Sequence, residues 1–588
     1  MNILIIGFGF VGKATYLVNN KDVNIFVYDI NPSLCIPQNL ILEDVVKQVD
    51  LIFISLPTPL NIDGTCYTKL IDDVIVKIDH EYIVIRSTIP VGYCDSKNVF
   101  FMPEFLTEKN WKDDFVNNKH WIFGIYETCP TDKKDIFMNR ITQLFNSAYE
   151  NKSINYNDII FCTNKEAELT KLVKNTFLAT KVSYFNEIYD LTQRLNINYN
   201  KVIELVKSDD RIGLTHMGCP GHDGKRGYGG TCFPKDTNSM YYQMVGHGID
   251  THIFEANLYR NEIIDRPERD WLGDKGRTNV GDNKFKIILV TGGAGFLGRH
   301  LCAKLLENNF NKVICLDNFI TGKETNIEEF KSNPNFKLLK FDITKKIFLP
   351  HVDEIYHLAS LASPDKYKAY PIETIMVNFE GTKNVLDLAR VHNAKVLLTS
   401  TSEVYGDPLI HPQPEEYYGN VNTVGERSCY DESKRLAETL LYEYKKKYNL
   451  DTKIVRLFNT YGPYMDEKDG RVITNFIYKI RNNEPIEIYG SGEQTRSFCY
   501  VIDTIDGIIK MMESTESGPI NIGNPNCEFT LNELVKLLEK IIGKDLMVKY
   551  LPSTENDPKC RKPNIDKAIE KLNWVPKILL EEGLRNML

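Results

Sequence analysis

Lys286-Ile-Ile-Leu-Val-Thr-Gly292-Gly-Ala-Gly295-Phe-Leu-Gly298 is an apolar run that breaks into a glycine-rich turn and then into helix-forming residues. Such a run suits a parallel strand buried on both faces, and the glycines let backbone approach a diphosphate at a helix N-terminus. The chain opens on the same pattern, Asn2-Ile-Leu-Ile-Ile-Gly7-Phe-Gly9-Phe-Val-Gly12. Each turn is followed by a second apolar strand ending in an acid: Val23-Asn-Ile-Phe-Val-Tyr-Asp29 and Lys312-Val-Ile-Cys-Leu-Asp317. Each acid lies roughly 20 residues or a little more past its first glycine, where a carboxylate bonds a ribose 2′-hydroxyl and repels a 2′-phosphate. NAD is therefore expected over NADP in both halves, with Asn318 beside Asp317. The turns differ, GxGxxG against GGxGxxG after Thr291, which argues for two distinct nucleotide-binding domains.

The 588 residues allow roughly three to five domains. Hydrophobic residues at 42% and charged residues at 26% are ordinary for a globular chain, which excludes wholesale disorder. A formal net charge of -8 argues against nucleic acid or an anionic membrane as partner. No apolar run is long enough to span a bilayer. The first residues lack the basic segment and cleavage site of a signal peptide. The 13 cysteines form no CxxC pair and no Cys/His cluster, so no metal site is expected and a reducing, cytoplasmic setting is. Residues 266–284 are charged, rich in Gly and without apolar periodicity, as in a linker.

In the first half, Ile52-Phe-Ile-Ser-Leu-Pro57-Thr58-Pro59 and Ile83-Val-Ile-Arg-Ser87-Thr88-Ile-Pro90-Val-Gly92 read as strands ending in tight turns. Pro103-Glu104-Phe-Leu-Thr-Glu108 and Gly227-Tyr-Gly229-Gly-Thr-Cys232-Phe-Pro-Lys235-Asp236 follow. Small residues leave the Cys232 thiol room, and the nearby Lys235 cation favours its nucleophilic thiolate. In the helical run from Glu166, Lys171 and Asn175 stand at i, i+4 on one face. Buried, they would stabilise an oxyanion; spacing alone also fits a solvated polar stripe.

PTP, STIPVG, PEFLTE, AELTKLVKN, FNE and GYGGTCFPKD, in this order over residues 1–265, resemble UDP-glucose 6-dehydrogenase. The resemblance implies oxidation of UDP-glucose to UDP-glucuronate with two NAD, through a thiohemiacetal and a thioester on Cys232. It places Lys171 and Asn175 at the oxyanion, Asp236 with Glu108 or Thr88 at the protons, and Lys235 and Thr58 against NAD. Glu104, Gly229 and residues 221–225 fall against the sugar nucleotide. The sequence departs from the family at Met102, where Asn is usual, and in lacking an Arg within residues 117–124. The family's UDP-binding third domain, with its FKxxTxDxR-like opening, does not follow Asn257-Leu-Tyr-Arg-Asn-Glu.

The second half carries Thr399-Ser-Thr401-Ser402-Glu403-Val-Tyr405-Gly406 and then Tyr430-Asp-Glu-Ser-Lys434. In YxxxK the two side chains lie one helical turn apart, and the ammonium of Lys434 is expected to lower the pKa of Tyr430 into the range of a useful base. DNFITGKETNI, YHLASLASP, STSEVYGDP, YDESKRLAE, RLFNTYGP, DGRVITNFI, YGSGEQTRSFCYVID and DPKCRKPNIDKA cover residues 285–588 almost without a gap. They resemble UDP-glucuronate decarboxylase, or UDP-xylose synthase, of the extended short-chain dehydrogenase type. By that resemblance Tyr430 takes the C4 hydroxyl proton while NAD takes the hydride, the 4-keto acid loses CO2, and the hydride returns. Ser402 and Glu403 would face the sugar. Arg496 and Arg561 suit a diphosphate, since guanidinium forks match phosphate oxygens, with Asn459 a further contact. Taken alone, either arginine also fits a surface ion pair.

The expected fold is α/β with two Rossmann-type doubly wound domains. Residues 1–160 form the first, 161–265 a helical, dimerisation-type segment with the Cys232 loop, and 285–588 the second with a smaller C-terminal substrate-binding subdomain. The expected protein is a bifunctional, homo-oligomeric enzyme acting on UDP-glucose, UDP-glucuronate and UDP-xylose, with one NAD site in each half. The alternative is an active decarboxylase joined to an NAD-binding assembly or regulatory module.

Overall fold

Residues 1–274, 276–277, 285–467, 469–552 and 560–588 are described in a computed structural model. The chain divides into two compact units, residues 1–281 and 282–588.

The first unit is built on β1 (Asn2–Ile6), β2 (Asn24–Tyr28), β3 (Leu51–Ile54), β4 (Ile83–Ile85), β5 (Phe100–Phe101), β6 (His120–Ile125) and β7 (Asp158–Thr163). Their order is β2-β1-β3-β4-β5-β6-β7. Neighbours are parallel except β5 against β6. Alternate residues of β1 enter different cores: Ile3 and Ile5 pack with Val27 and Phe53, Leu4 and Ile6 with Ile52 and Ile85. Period-2 side chains with both faces covered explain why the strand reads as continuously apolar. Strand order reverses beside β1, so the crevice at the carboxyl ends of β1 and β3 is the ligand side of the sheet. Gly7, at a φ of 89°, lies there so close to β3 that a Cβ would stand 2.6 Å from the Ser55 carbonyl oxygen.

Helix Asn164–Arg194 follows β7 and starts from a capping box in which Thr163 and Glu166 satisfy each other's backbone N–H groups. One face carries Lys171 and Asn175 inward; Val173, Phe177, Tyr184 and Leu191 remain exposed. Helix Phe233–Gly246 packs beside it. The expected linker begins later than residue 266. Arg266 is 4% exposed and Trp271 5%, and Arg266 pairs with Asp270 and Asp223, which holds Arg266–Asp274 against the first unit. Lys275 and residues 278–284 of the expected linker lie outside the described residues.

The second unit has β8 (Lys286–Thr291), β9 (Asn311–Asp317), β10 (Phe336–Lys340), β11 (Glu354–His357), β12 (Lys395–Thr401) and β13 (Thr452–Leu457), with Ile520–Ile522 as the last strand. The order is β10-β9-β8-β11-β12-β13 and then Ile520–Ile522, all parallel. Both units are thus Rossmann-type α/β folds, as the sequence implies. The switch in strand order falls between β8 and β11, which places the crevice above Gly292 and Leu358. The smaller subdomain is made of short pairs, among them Thr495–Ser497 with Glu528–Thr530 and Ile486–Tyr489 with Val548–Leu551. Helices Val472–Arg481 and Leu531–Ile542 belong to it.

Candidate active sites

In the first unit the structure gathers most of the expected residues. Lys171 and Glu104 are both buried, and Lys171 Nζ donates to Glu104 Oε1 at 2.7 Å. The ammonium holds the Glu104 carboxyl below its usual range against the pull of burial. Asn175 Nδ2 donates to Asp236 Oδ2 at 2.6 Å, and Lys235 Nζ to Asp236 Oδ1 at 2.5 Å. Cys232 precedes helix Phe233–Gly246, and Glu104, Lys171, Lys235 and Asp236 are the charges that bear on it. Thr58 Oγ1 donates to the Thr88 carbonyl at 2.7 Å, which joins the two turns above β3 and β4. Asp29 closes the glycine turn by accepting from the Phe8 N–H at 2.7 Å. A Cβ on Gly12 would stand 2.0 Å from the Gly7 carbonyl oxygen, while Gly9 has open space around it.

Three expectations for this unit are corrected. Burial of the Cys232 thiol raises its pKa, and the Lys171 and Lys235 cations, already paired with Glu104 and Asp236, do not reverse that. The sequence neighbourhood of Lys235 alone pointed the other way. Glu108 is exposed and accepts from Arg277 at 2.9 Å, so it does not join the cluster. Gly229 is covered by protein: a Cβ there would stand 2.5 Å from the Arg266 guanidinium carbon. The 221–225 turn is tied to the same segment through Asp223–Arg266 and Lys225–Asp270 ion pairs of 2.7 and 2.6 Å. Arg86, 2% exposed, is a charge near Glu104 that sequence reasoning passed over.

In the second unit Gly292 has a φ of 71°, and a Cβ on it would stand 2.8 Å from the Ala359 backbone; one on Gly298 would stand 2.2 Å from the Gly292 carbonyl oxygen. Gly295 opens helix Phe296–Leu306 without a side-chain cap, so the first helical N–H groups face the crevice. Asp317, at the end of β9, accepts from Ala294 N–H at 3.0 Å and Phe319 N–H at 2.8 Å. A cleft over these residues is also lined by Asn318, Ser360, Lys366, Tyr464 and Arg471.

Tyr430 and Lys434 are both buried on helix Ser428–Tyr448. Tyr367 stacks on Tyr430 with ring centroids 5.3 Å apart. Lys434 Nζ donates to the Thr399 carbonyl at 3.1 Å. The expected lowering of the tyrosine by Lys434 is corrected: burial pushes the Tyr430 phenol up to about 12, and the cation that opposes this is Arg471. Burial also lowers the Lys434 amine to about 8.

Glu403 is held by two guanidinium groups. Arg561 Nη1 and Nη2 donate to its two oxygens at 2.5 and 2.7 Å, and Arg427 Nη2 pairs with Oε2. These cations hold Glu403 at about 2 although it is buried. Arg561, expected against a diphosphate, is paired in the structure with Glu403. Asp431 stands behind Arg427, with Arg427 Nε 3.8 Å from Oδ2 and a buried Oδ1 that has no partner. Burial and the facing Glu403 charge raise its carboxyl to about 7. Ser402, 3% exposed, precedes Glu403 in the turn capped by Thr401. Arg496 donates to the Thr495 carbonyl, and it and Arg561 are the two cations bearing on Cys560. The Asn459 amide nitrogen is buried without a partner, as a waiting ligand donor would be. Residues 557–559 of the DPKCRKPNIDKA motif lie outside the described residues.

Sequence reasoning missed Arg427, Asp431, Arg471 and Tyr367. One signal was present: Arg427 precedes Tyr430 by three residues and Asp431 by four, the spacing of one helix face. Arg471 lies within DGRVITNFI, a segment of the resemblance to which no role was attached, and Tyr367 reaches the site from a remote segment without a local trace.

Comparison with known proteins places the two units separately. The NAD dependent epimerase/dehydratase family matches residues 288–523, and the central domain of the UDP-glucose/GDP-mannose dehydrogenase family matches residues 165–262. UDP-glucuronic acid decarboxylase 3 of Arabidopsis thaliana is 51% identical over 297 residues, which are 50% of this chain and 86% of that protein. UDP-glucuronic acid decarboxylase 1 of Xenopus tropicalis is 44% identical over 328 residues, 56% of this chain and 75% of that one. Among solved structures, UDP-glucuronic acid 4-epimerase from Bacillus cereus is 30% identical, covering 51% of this chain and 97% of its own, with a TM-score of 0.48.

Proposed function

Because the chain belongs through its second unit to the UDP-glucuronic acid decarboxylases, and carries the central domain of a UDP-glucose/GDP-mannose dehydrogenase ahead of it, we propose that it is a bifunctional UDP-sugar enzyme. The second unit decarboxylates UDP-glucuronate to UDP-xylose. The first oxidises UDP-glucose to the UDP-glucuronate that the second consumes.

The observation that carries the decarboxylase reading is the placement of a carboxylate–guanidinium cluster, Glu403 with Arg427 and Arg561, one helical turn from Tyr430. That cluster handles an anion where a tyrosine handles a proton. The crevice suits NAD: the glycines admit backbone only, the helix at Phe296 lacks a cap, and Asp317 ends the neighbouring strand. NAD bound there supplies the hydride acceptor, and later the donor, for sugar C4. Tyr430 accepts the proton of the C4 hydroxyl, with Arg471 easing its ionisation and Lys434 fixed by the Thr399 carbonyl. Once C4 is a ketone the sugar is a β-keto acid. Its carboxyl carbon leaves as CO2 while the electron pair delocalises into the carbonyl.

The dehydrogenase reading of the first unit is supported by the Cys232, Lys171, Glu104, Asn175 and Asp236 assembly. Lys171 and Asn175 would steady the oxyanion of a covalent intermediate on Cys232, and Asp236 would handle protons. A second reading, an NAD-binding assembly module, is favoured by one observation: Arg266 fills the face of Gly229 and latches the 221–225 turn. The exposed row Val173, Phe177, Tyr184 and Leu191 supports a homo-oligomer. No described helix is long and apolar enough to cross a membrane, and a cytoplasmic setting is part of the proposal.

Two incubations test this. UDP-glucuronate should yield CO2 and UDP-xylose; recovery of an epimerised acid in their place removes the decarboxylase. UDP-glucose with NAD should raise NADH absorbance above a Cys232→Ser control, and equal traces leave only the module reading.

A further inference from the structure

The second unit holds a buried carboxyl that the decarboxylation steps above do not use. Asp431 is 6% exposed, and its Oδ1 has no hydrogen-bond partner. The groups facing it are Arg427 from the residue before its helix, Glu403 from the turn after β12 and Arg561 from the segment before Pro563. Tyr367 faces it from helix Pro364–Ala369, and Tyr430 and Glu432 flank it on its own helix. Two guanidinium groups thus meet two carboxylates, but the sharing is uneven. Glu403 takes Arg561 on both oxygens and Arg427 as well, whereas Asp431 is left with Arg427 Nε at 3.8 Å, beyond hydrogen-bonding distance. An ionised carboxylate buried on such terms is poorly supported.

Resting on the decarboxylase reading, we propose that Asp431 is a positioning residue that takes up a proton when the acid sugar binds, so that a third carboxylate can enter beside the two guanidinium groups, Arg427 and Arg561, that face it. The sugar carboxylate competes with Glu403 for Arg427 and Arg561; with Arg471 paired to Asp469, the set of Arg427, Arg561, Glu403, Asp431 and the sugar carboxylate is neutral only if one of its three carboxyls is protonated. Asp431, with an unpartnered oxygen, is the one that gains most. The proton also balances the reaction. The C5–C6 bond breaks, CO2 leaves, the electron pair stays on the sugar, and the new C5–H bond needs one proton. With Asp431 protonated beforehand and ionised afterwards, the pocket is neutral with the acid bound and neutral with the uncharged xylose unit bound. A substrate without a carboxylate draws no proton.

The test is calorimetric titration of the full chain with NAD, at pH 8 in two buffers of different ionisation enthalpy, carrying Tyr430→Phe to stop turnover. UDP-glucuronate should bind with uptake approaching one proton, UDP-xylose with none, and addition of Asp431→Asn should abolish the uptake. The unsubstituted enzyme gives a second readout: KM for UDP-glucuronate should rise about tenfold per pH unit above the titration of Asp431, with a smaller change in kcat. Binding of UDP-glucuronate without proton uptake, or uptake that persists in Asp431→Asn, overturns this role and leaves the decarboxylase reading standing. Failure of UDP-glucuronate to bind at all removes both.

Discussion

Replacing Arg561 by Met should destabilise the second unit by about 3 kcal/mol, the lower end of what breaking a buried ion pair costs. The lower end applies because Arg427 still reaches Glu403 after the substitution. The titration of Glu403 adds the pH range: the Arg561 and Arg427 cations hold its carboxyl at about 2, below the ordinary glutamate range, so the ionised form stabilises the fold at neutral pH. The folded pKa is depressed, so this stability is present above pH 4.5 and is lost as pH falls from there toward 2. At about 2 °C per kcal/mol for a unit of this size, Arg561→Met should lower the thermal transition of the second unit by about 6 °C at pH 7. Glu403→Met in the same background should recover part of the loss, because the under-compensated carboxylate is gone and a side chain of similar volume remains, while Arg427 falls back on Asp431. Differential scanning calorimetry of the full chain resolves this. A single variant melting within 1–2 °C of the parent, roughly the limit for a surface pair, would show that the cluster does not bear on stability. A double variant no better than the single would show that the under-compensated Glu403 charge was not the cause.

Lys171→Met should cost the first unit about 3–5 kcal/mol by stranding buried Glu104, and Lys171→Met/Glu104→Leu should regain most of it, as read from the calorimetric transition of that unit. Arg471→Gln removes the cation that opposes burial at Tyr430; CO2 release at pH 7 should fall about tenfold or more and its optimum should move alkaline, whereas an unmoved profile denies Arg471 that part. Lys434 is held at about 8, so its ammonium is present below that pH and lost above it; activity should fall above pH 8, and Lys434→Met should lose this limb along with most of the rate. Cys232 should react slowly with iodoacetamide at pH 7, since burial keeps it protonated, and Glu104→Gln, which removes a negative charge beside it, should speed the reaction.

Both sheets were legible because β1 and β8 are buried on two faces, which writes their burial into consecutive residues. The same holds for YxxxK, where helix geometry converts spacing into a shared face. What failed to read were interactions closed by distant segments. Arg266 looks solvated beside Pro267 and Glu268, yet its partner Asp223 lies 43 residues upstream. Lys235 beside Cys232 suggests a thiolate, but Asp236 occupies the ammonium and burial decides the titration. Arg561 reads as a phosphate fork until Glu403, 158 residues away, is seen to hold it. Charge in a sequence carries no record of its partner, whereas an apolar pattern carries its own.

The most direct measurement starts from UDP-glucose and NAD with the full chain and follows NADH and CO2 together. A two-unit enzyme forms two NADH for each CO2 released, with UDP-xylose as the sugar product, and Cys232→Ser abolishes both signals while leaving CO2 release from added UDP-glucuronate intact. The contrary result is CO2 from UDP-glucuronate with no NADH from UDP-glucose, which would leave one working enzyme and a first unit that does no chemistry.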